Sequence, residues 1–274
     1  MPEGHTLHRL AREQQRLFGG RVVHAASPQG RFADGAALID GHVLVRTEAY
    51  GKHLLQHYQY GPLLHVHLGL YGKFTTGTGE PPAPVGALRL RLVGGDTWTD
   101  LRGPTACEIV TPVERRELLA RLGPDPLRRD VGSAASFARI GRSKAPIAAL
   151  VMDQTVLAGV GNVYRAELLF RHGIDPYLPG RDLHPQRWDA MWRDLRVLMA
   201  TGVRVGRIVT LRPEDRPRGR RPAVVAPGED RYVYRRTGLP CRICGTEVRL
   251  AELVGRNLYW CPSCQAPGLG RSAD

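Results

Sequence analysis

Cys241-Arg242-Ile243-Cys244 is followed, after a spacer of sixteen residues, by Cys261-Pro262-Ser263-Cys264. Each Cys-x2-Cys pair forms a tight turn that presents two thiolates, and the spacer has the length of a β-hairpin. The four sulfurs together complete a closed tetrahedral site for one zinc ion. With no coordination position left open, such a Zn2+ is structural and not catalytic. The other reading of the same residues is four free cysteines. Between the knuckles lies Val254-Gly255-Arg256-Asn257-Leu258-Tyr259-Trp260, which puts a cationic side chain near the hairpin turn. A basic zinc ribbon suits nucleic acid, and alone it fits a transcription factor or a ribosomal protein equally well.

Upstream of the finger, Arg212 to Arg231 holds four prolines and six arginines with almost no periodicity, and reads as a mobile loop or linker. Before it, Trp188, Met191, Trp192, Leu195, Leu198 and Met199 make the clearest amphipathic helix in the chain. Leu157-Ala158-Gly159-Val160-Gly161-Asn162 is a glycine-punctuated turn opening into a helix from Val163 to His172, and Ala145 to Met152 reads as an apolar helix. Glu114 to Leu122 is also helical, stopped by Gly123-Pro124-Asp125-Pro126. The N-terminal part differs. A helix carrying Leu7, Leu10, Gln14, Leu17 and Phe18 ends at Gly19-Gly20, and to about residue 110 the signal is all strand. Leu88-Arg89-Leu90-Arg91-Leu92 alternates strictly, and Tyr50-Gly51-Lys52 marks a turn. The expected class is α+β: a β-sandwich with a leading helix over 1–127, a helical domain over 128–235 and the finger over 236–274.

The 274 residues carry 39 Lys and Arg against 26 Asp and Glu, a formal charge of +13, which favours a polyanionic partner. No apolar run is long enough to cross a bilayer, the first residues show no secretory pattern, and five cysteines with four in close pairs do not form a disulfide framework. A reducing, cytoplasmic setting follows as the expectation. Pro2 after Met1 offers a secondary amine once the initiator is removed. An α-amino group, with a pKa of about 8 against about 10.4 for lysine, is far more nucleophilic near neutrality. Glu3 beside it is a candidate proton shuttle. On their own, these residues are also an ordinary chain start.

Taken in order, Met1-Pro2-Glu3-Gly4, Gly51-Lys52, Gly159-Val160-Gly161-Asn162 and Gly255-Arg256 within a four-cysteine finger ending Tyr259-Trp260-Cys261-Pro262-Ser263-Cys264-Gln265 resemble the formamidopyrimidine-DNA glycosylase/endonuclease VIII family. The resemblance spans about residues 2 to 265. It implies a β-sandwich, a helix–two-turn–helix domain and a zinc finger, with damaged double-stranded DNA held in the cleft between the halves. It implies a monomer with glycosylase and AP-lyase activity and no small-molecule cofactor. Carried over, Pro2 is the Schiff-base nucleophile at C1′, Glu3 the proton donor and acceptor at the sugar, and Lys52 the hairpin lysine that assists elimination. Asn162 and Arg256 grip the phosphate of the flipped nucleotide, and Arg256 also serves δ-elimination. Leu70 and Tyr71 fill the gap left by the extruded base, and Arg121 contacts DNA. Read without the resemblance, Lys52 is a solvated turn lysine, Leu70 and Tyr71 are core, Arg121 is a helix C-terminal cation, and Cys107 is a buried small hydrophobe. His65 and His67 share a strand face without a third ligand at suitable spacing, which indicates structural or hydrogen-bonding roles.

Asn257-Leu258-Tyr259-Trp260 and Leu70-Tyr71 are more similar to the endonuclease VIII branch, implying oxidised pyrimidines such as thymine glycol and dihydrouracil as lesions. Gly69 departs from that branch, whose bacterial members carry a larger polar plug residue there. The purine-directed branch and a non-catalytic zinc-ribbon DNA-binding protein are the competing readings.

Overall fold

The computed structural model describes residues 2–216, 221–226 and 228–271, and divides the chain into two compact units, Met1–Arg121 and Leu122–Asp274. In the first, α1 (Gly4–Phe18) lays Leu7, Ala11, Gln14 and Phe18 against the sheet, at the helical spacing the sequence shows. The strands are β1 (Val22–Ala26), β2 (His42–Tyr50), β3 (His53–Tyr58), β4 (Leu63–His67), β5 (Lys73–Thr78), β6 (Leu88–Gly94), β7 (Thr97–Arg102) and β8 (Ala106–Ile109). Their order is β5-β7-β6-β1-β2-β3-β4-β8, antiparallel throughout. Only two residue pairs join β1 to β2, Val22↔Val43 and Val23↔His42, so the sheet parts there into two four-stranded halves. Leu90, Leu92 and Leu101 of one half share a core with Leu54, Tyr58, Leu64 and Val66 of the other, which makes a sandwich.

Alternation works as expected in β6, where Leu88, Leu90 and Leu92 are buried while Arg89 and Arg91 sit between them half-exposed. Arg91 does more than face solvent. Its Nε and Nη2 grip the two oxygens of the fully buried Asp100 at 2.7 and 2.8 Å, and Arg102 adds a third bond at 2.9 Å. A carboxylate without water depends on such partners. Replacing Asp100 with Ala strands two guanidinium groups, and urea unfolding should show a loss of about 3–5 kcal/mol.

One element of this unit differs from the sequence reading. Ala33–Ile39 is a helix, α2, inside the stretch expected to be all strand; it is short and buries only Ala36 and Ile39, too few positions to show a period. The third helix, α3 (Pro112–Ala120), starts on a capping box in which Thr111 and Glu114 bond each other's backbone N–H groups at 3.2 and 2.7 Å. Arg121 is its C-cap, and Cys107 is buried as expected.

The second unit contains α4 (Ala134–Ile140), α5 (Ile147–Leu150), α6 (Asn162–Arg171), α7 (Pro185–Val205) and the hairpin β9 (Arg249–Leu253) and β10 (Arg256–Trp260). The apolar run 145–152 yields only the four-residue α5: Pro146 caps it, and its residues are apolar because they are enclosed, with Ile147, Ala148 and Val151 wholly buried. Every apolar position named on α7 is buried; Pro185 starts this helix and Gly206, at φ 82°, ends it. The Arg/Pro-rich stretch is more ordered than a mobile linker where it is described. Arg207 bonds the carbonyl of Pro222 at 3.1 Å and that of Val225, and Val225 is buried. Residues 217–220 and 227 of that stretch lie outside the described residues. No helix among the described residues is long and apolar enough to cross a membrane.

Candidate nucleic-acid interface and metal centre

In the first unit the candidate chemistry starts at the N-terminal end of α1. Glu3 is its N-cap and is completely buried, directly after the half-buried Pro2. A carboxylate there lies at the positive end of the helix dipole. His5, in the first turn, is held neutral, its pKa brought down to about 4 chiefly by burial. Met1 lies outside the described residues.

Lys52 sits in the loop between β2 and β3. Tyr50 pairs with His53, so Gly51 and Lys52 alone make the connection, and the φ of 56° at Gly51 is what a type II′ hairpin loop requires of its first residue. The glycine thus serves the turn that presents the lysine, which is half-buried. Beyond β4, Leu70 and Tyr71 are exposed, 47% and 86%, and are not the core residues that their apolarity alone suggests. Gly69 has φ +66°, and a Cβ there would lie 1.8 Å from the Thr105 hydroxyl oxygen. Thr105 therefore occupies the place where a side chain at position 69 would begin. Arg121 is exposed at the end of α3.

The second unit builds a connected polar centre around the start of α6. Gln154 pins the glycine turn: its amide donates to the carbonyls of Met152 and Val160, each at 2.8 Å, and its oxygen accepts from Gly159 N–H at 3.0 Å. Asn162, nearly buried, donates to the Asn257 carbonyl at 2.9 Å. Arg165, fully buried one turn on, donates to the same carbonyl at 2.8 Å and to the Asn162 side-chain oxygen. Asn257 follows Arg256 on β10, so the helix start and the finger tip are tied together. The tip is a two-residue turn, Val254 and Gly255, since Leu253 pairs with Arg256. Both have positive φ, 51° and 64°, as a type I′ turn demands. A β-branched residue rarely adopts this conformation, so Val254 is held there against its preference. Arg256 projects from this turn, exposed.

The fully buried Glu167 organises the approach to the finger. Its oxygens accept from the backbone N–H of Tyr232, Val233 and Tyr234 at 2.8, 2.8 and 2.7 Å, and from the Thr210 hydroxyl. The sequence reading passes over both Arg165 and Glu167, although an Arg and a Glu inside the apolar run Val163-Tyr164-Arg165-Ala166-Glu167-Leu168-Leu169 are a legible sign of buried polar work.

The finger closes with four sulfurs, all within 4.8 Å of one another. Cys241 and Cys264 Sγ are 3.9 Å apart and Cys244 and Cys261 Sγ 3.5 Å. A tetrahedral metal with bonds of about 2.3 Å needs S···S edges of about 3.8 Å. The donor set fits a structural metal with no open position.

Known proteins share this arrangement. Residues 1–107 match the formamidopyrimidine-DNA glycosylase N-terminal domain, residues 122–212 the formamidopyrimidine-DNA glycosylase H2TH domain, and residues 238–267 the zinc finger found in FPG and IleRS. The chain is 55% identical to "Endonuclease 8 1" of Mycobacterium tuberculosis over 97% of its own length and 100% of that protein's. It is 33% identical to the formamidopyrimidine-DNA glycosylase of Thermus thermophilus, over 90% of the chain and 91% of the relative. The crystal structure of MutM (Fpg) from Thermus thermophilus superposes with a TM-score of 0.77 at 31% identity, covering 96% of this chain and 98% of that one. On these grounds the chain belongs to the formamidopyrimidine-DNA glycosylase/endonuclease VIII family, the DNA glycosylase/lyase enzymes of base-excision repair.

Proposed function

We propose that this glycosylase excises oxidised pyrimidines from double-stranded DNA through a Schiff base on Pro2 and then cuts the strand by β,δ-elimination. The observation that carries the reading is the buried carboxylate of Glu3 immediately after Pro2, at the positive end of α1. With Met1 removed, the Pro2 nitrogen directs its lone pair at C1′ of the flipped nucleotide. A C1′–N bond forms, the base departs with the electrons of its glycosidic bond and takes up a proton, and opening of the sugar leaves an iminium. The cationic iminium acidifies the C2′ proton. Its removal expels the 3′ phosphate, and a second elimination expels the 5′ phosphate.

Glu3 supplies and accepts the protons at the sugar, and Lys52 assists elimination from its turn. Asn162 and Arg256 hold the phosphate of the flipped nucleotide, with Arg256 also serving the second elimination. Leu70 and Tyr71 occupy the gap in the duplex, for which their exposure suits them. Arg121 adds a contact to the strand. The metal at Cys241, Cys244, Cys261 and Cys264 is one structural Zn2+, and the enzyme works as a monomer in the cytoplasm, on the nucleoid if the cell is bacterial. The "Endonuclease 8 1" relative at 55% identity supports the endonuclease VIII branch, and the pyrimidine preference follows from the resemblance of Leu70-Tyr71 and Asn257-Leu258-Tyr259-Trp260 to that branch.

The test is Glu3→Gln on duplexes carrying thymine glycol, dihydrouracil or 8-oxoguanine. The variant should bind thymine-glycol DNA within a fewfold of the parent while base release falls by about a hundredfold or more. Faster excision of 8-oxoguanine than of thymine glycol by the parent enzyme would instead favour the purine-directed reading.

A further inference from the structure

His53, His65 and Glu108 form a continuous hydrogen-bonded array on the side of the sheet opposite the sandwich core. Glu108 Oε1 lies 2.9 Å from His65 Nδ1, and His65 Nε2 lies 2.9 Å from His53 Nδ1. Strand register explains the geometry. His65 pairs with Glu108 across β4 and β8, and Leu55 with His65 across β3 and β4. His53, two residues before Leu55 on the same face, therefore reaches His65 diagonally. It also stacks beside His67, its direct partner, with ring centroids 5.0 Å apart. His65 is buried, while Glu108 is exposed and only accepts when ionised.

With His65 neutral, the hydrogen bonds have one consistent direction. The carboxylate takes a proton-bearing Nδ1 from His65, so the neutral His65 ring offers the lone pair of Nε2. His53 must then donate from Nδ1, which leaves its own Nε2 unprotonated. The charged and titratable groups around His53 are Lys52 on the turn, His65 and His67 on β4, Glu108 on β8 through His65, and Arg121 at the end of α3. Burial first, then His65, His67, Arg121 and Lys52, bring the His53 pKa down to about 3, and burial also lowers that of His67. His53 is thus an uncharged acceptor among cations. Its backbone flanks the two-residue loop that carries Lys52, so the bond to His65 also ties the root of that loop to the next strand.

We propose that Glu108, His65 and His53 are positioning residues for Lys52: through their hydrogen-bonded array they tie the root of its turn to β4 and β8 and keep an uncharged ring beside that turn. This rests on the reading of Lys52 as the lysine that assists elimination. Without His65, the His53 ring loses the acceptor that fixes its tautomer. Burial still keeps the ring uncharged, so what is lost is the tie between the root of the Lys52 turn and β4.

The experiment measures strand cleavage of duplex DNA containing a preformed abasic site for the parent, His65→Leu and His65→Gln. His65→Leu should cut about tenfold more slowly near neutral pH with its DNA Kd within twofold. His65→Gln, whose side-chain oxygen can accept from His53 Nδ1, should recover most of the rate. Nitrogen-15 NMR of the histidine-labelled full chain gives a readout apart from activity: His53 Nε2 should carry no proton in the parent. A protonated His53 Nε2, or a parental rate in His65→Leu, overturns the proposal. Absence of a borohydride-trapped adduct in the parent enzyme would instead overturn the Schiff-base reading, and the NMR result would still stand or fall by itself.

Discussion

Acetylation of the Pro2 nitrogen should abolish the covalent adduct that borohydride traps on abasic-site DNA, and should slow strand cleavage by roughly a thousandfold or more, a barrier increase of about 4 kcal/mol. The reason is electronic. An amide nitrogen delocalises its lone pair into the carbonyl and cannot become an iminium, whereas the secondary amine of an N-terminal proline can. The acetyl group also removes the terminal charge while leaving the exposed side chains Leu70, Tyr71, Arg121 and Arg256 in place, so DNA affinity should fall only a fewfold. Two variants separate this amine from its rivals. Pro2→Gly keeps an α-amino group and should still give an adduct, though more slowly. Lys52→Arg removes the turn lysine as a nucleophile and should leave trapping intact while slowing elimination. Mass spectrometry of an active preparation should show the chain starting at Pro2. Full lyase activity with Met1 retained or Pro2 acetylated would refute the Schiff-base chemistry.

How far the sequence discloses such a site depends on whether a residue's role is local. The four cysteines are legible because the two Cys-x2-Cys spacings alone bring the sulfurs into two tight turns, and the structure gathers all four within 4.8 Å. Gly51 is legible for the same reason, since a two-residue loop demands its conformation. α7 shows itself through six apolar positions over more than three turns, whereas α2, with two buried residues, offers no period to read. Long-range partners are another matter. Asn162 is 95 residues from Asn257, Glu167 is 65 to 67 residues from the backbone it collects, and Glu108 is 43 from His65. No pattern in one stretch announces them. The same holds for Gly69: the sequence shows the missing side chain, and only the fold shows Thr105 standing where its Cβ would be. The sequence's warning sign for the array is the His65-Val66-His67 alternation, and the reading of hydrogen-bonding rather than metal-ligating histidines accords with the bonds of His65.

Removing the finger's metal should cost DNA binding far more than the loss of one side chain would. The hairpin β9–β10 has five residue pairs, too little to be stable by itself in water. Structural zinc in such fingers supplies about 10–16 kcal/mol of apparent binding energy that is also folding energy. Cys241, Cys261, Leu258 and Tyr259 belong to the same buried cluster as Tyr164 and Leu168 of α6, so metal loss opens one edge of the second unit's core. It also releases the Asn257 carbonyl from Asn162 and Arg165, and with it the fixed position of Arg256. Chelation, or Cys244→Ala, should therefore lower affinity for lesion DNA by about a hundredfold or more. The plot of log K against log salt should become shallower by about 0.9 for each phosphate that the protein no longer neutralises. The parent should contain one zinc per chain by elemental analysis, and the first unit should keep its own unfolding transition in the variant, because among the described residues its core draws only on Leu7 to Ile109. Arg256→Ala supplies the contrast: with the finger intact, it should free one phosphate, change the salt slope by about that single increment and leave the metal content unchanged. Equal affinities for Cys244→Ala and the parent would mean that the finger does not hold DNA at all.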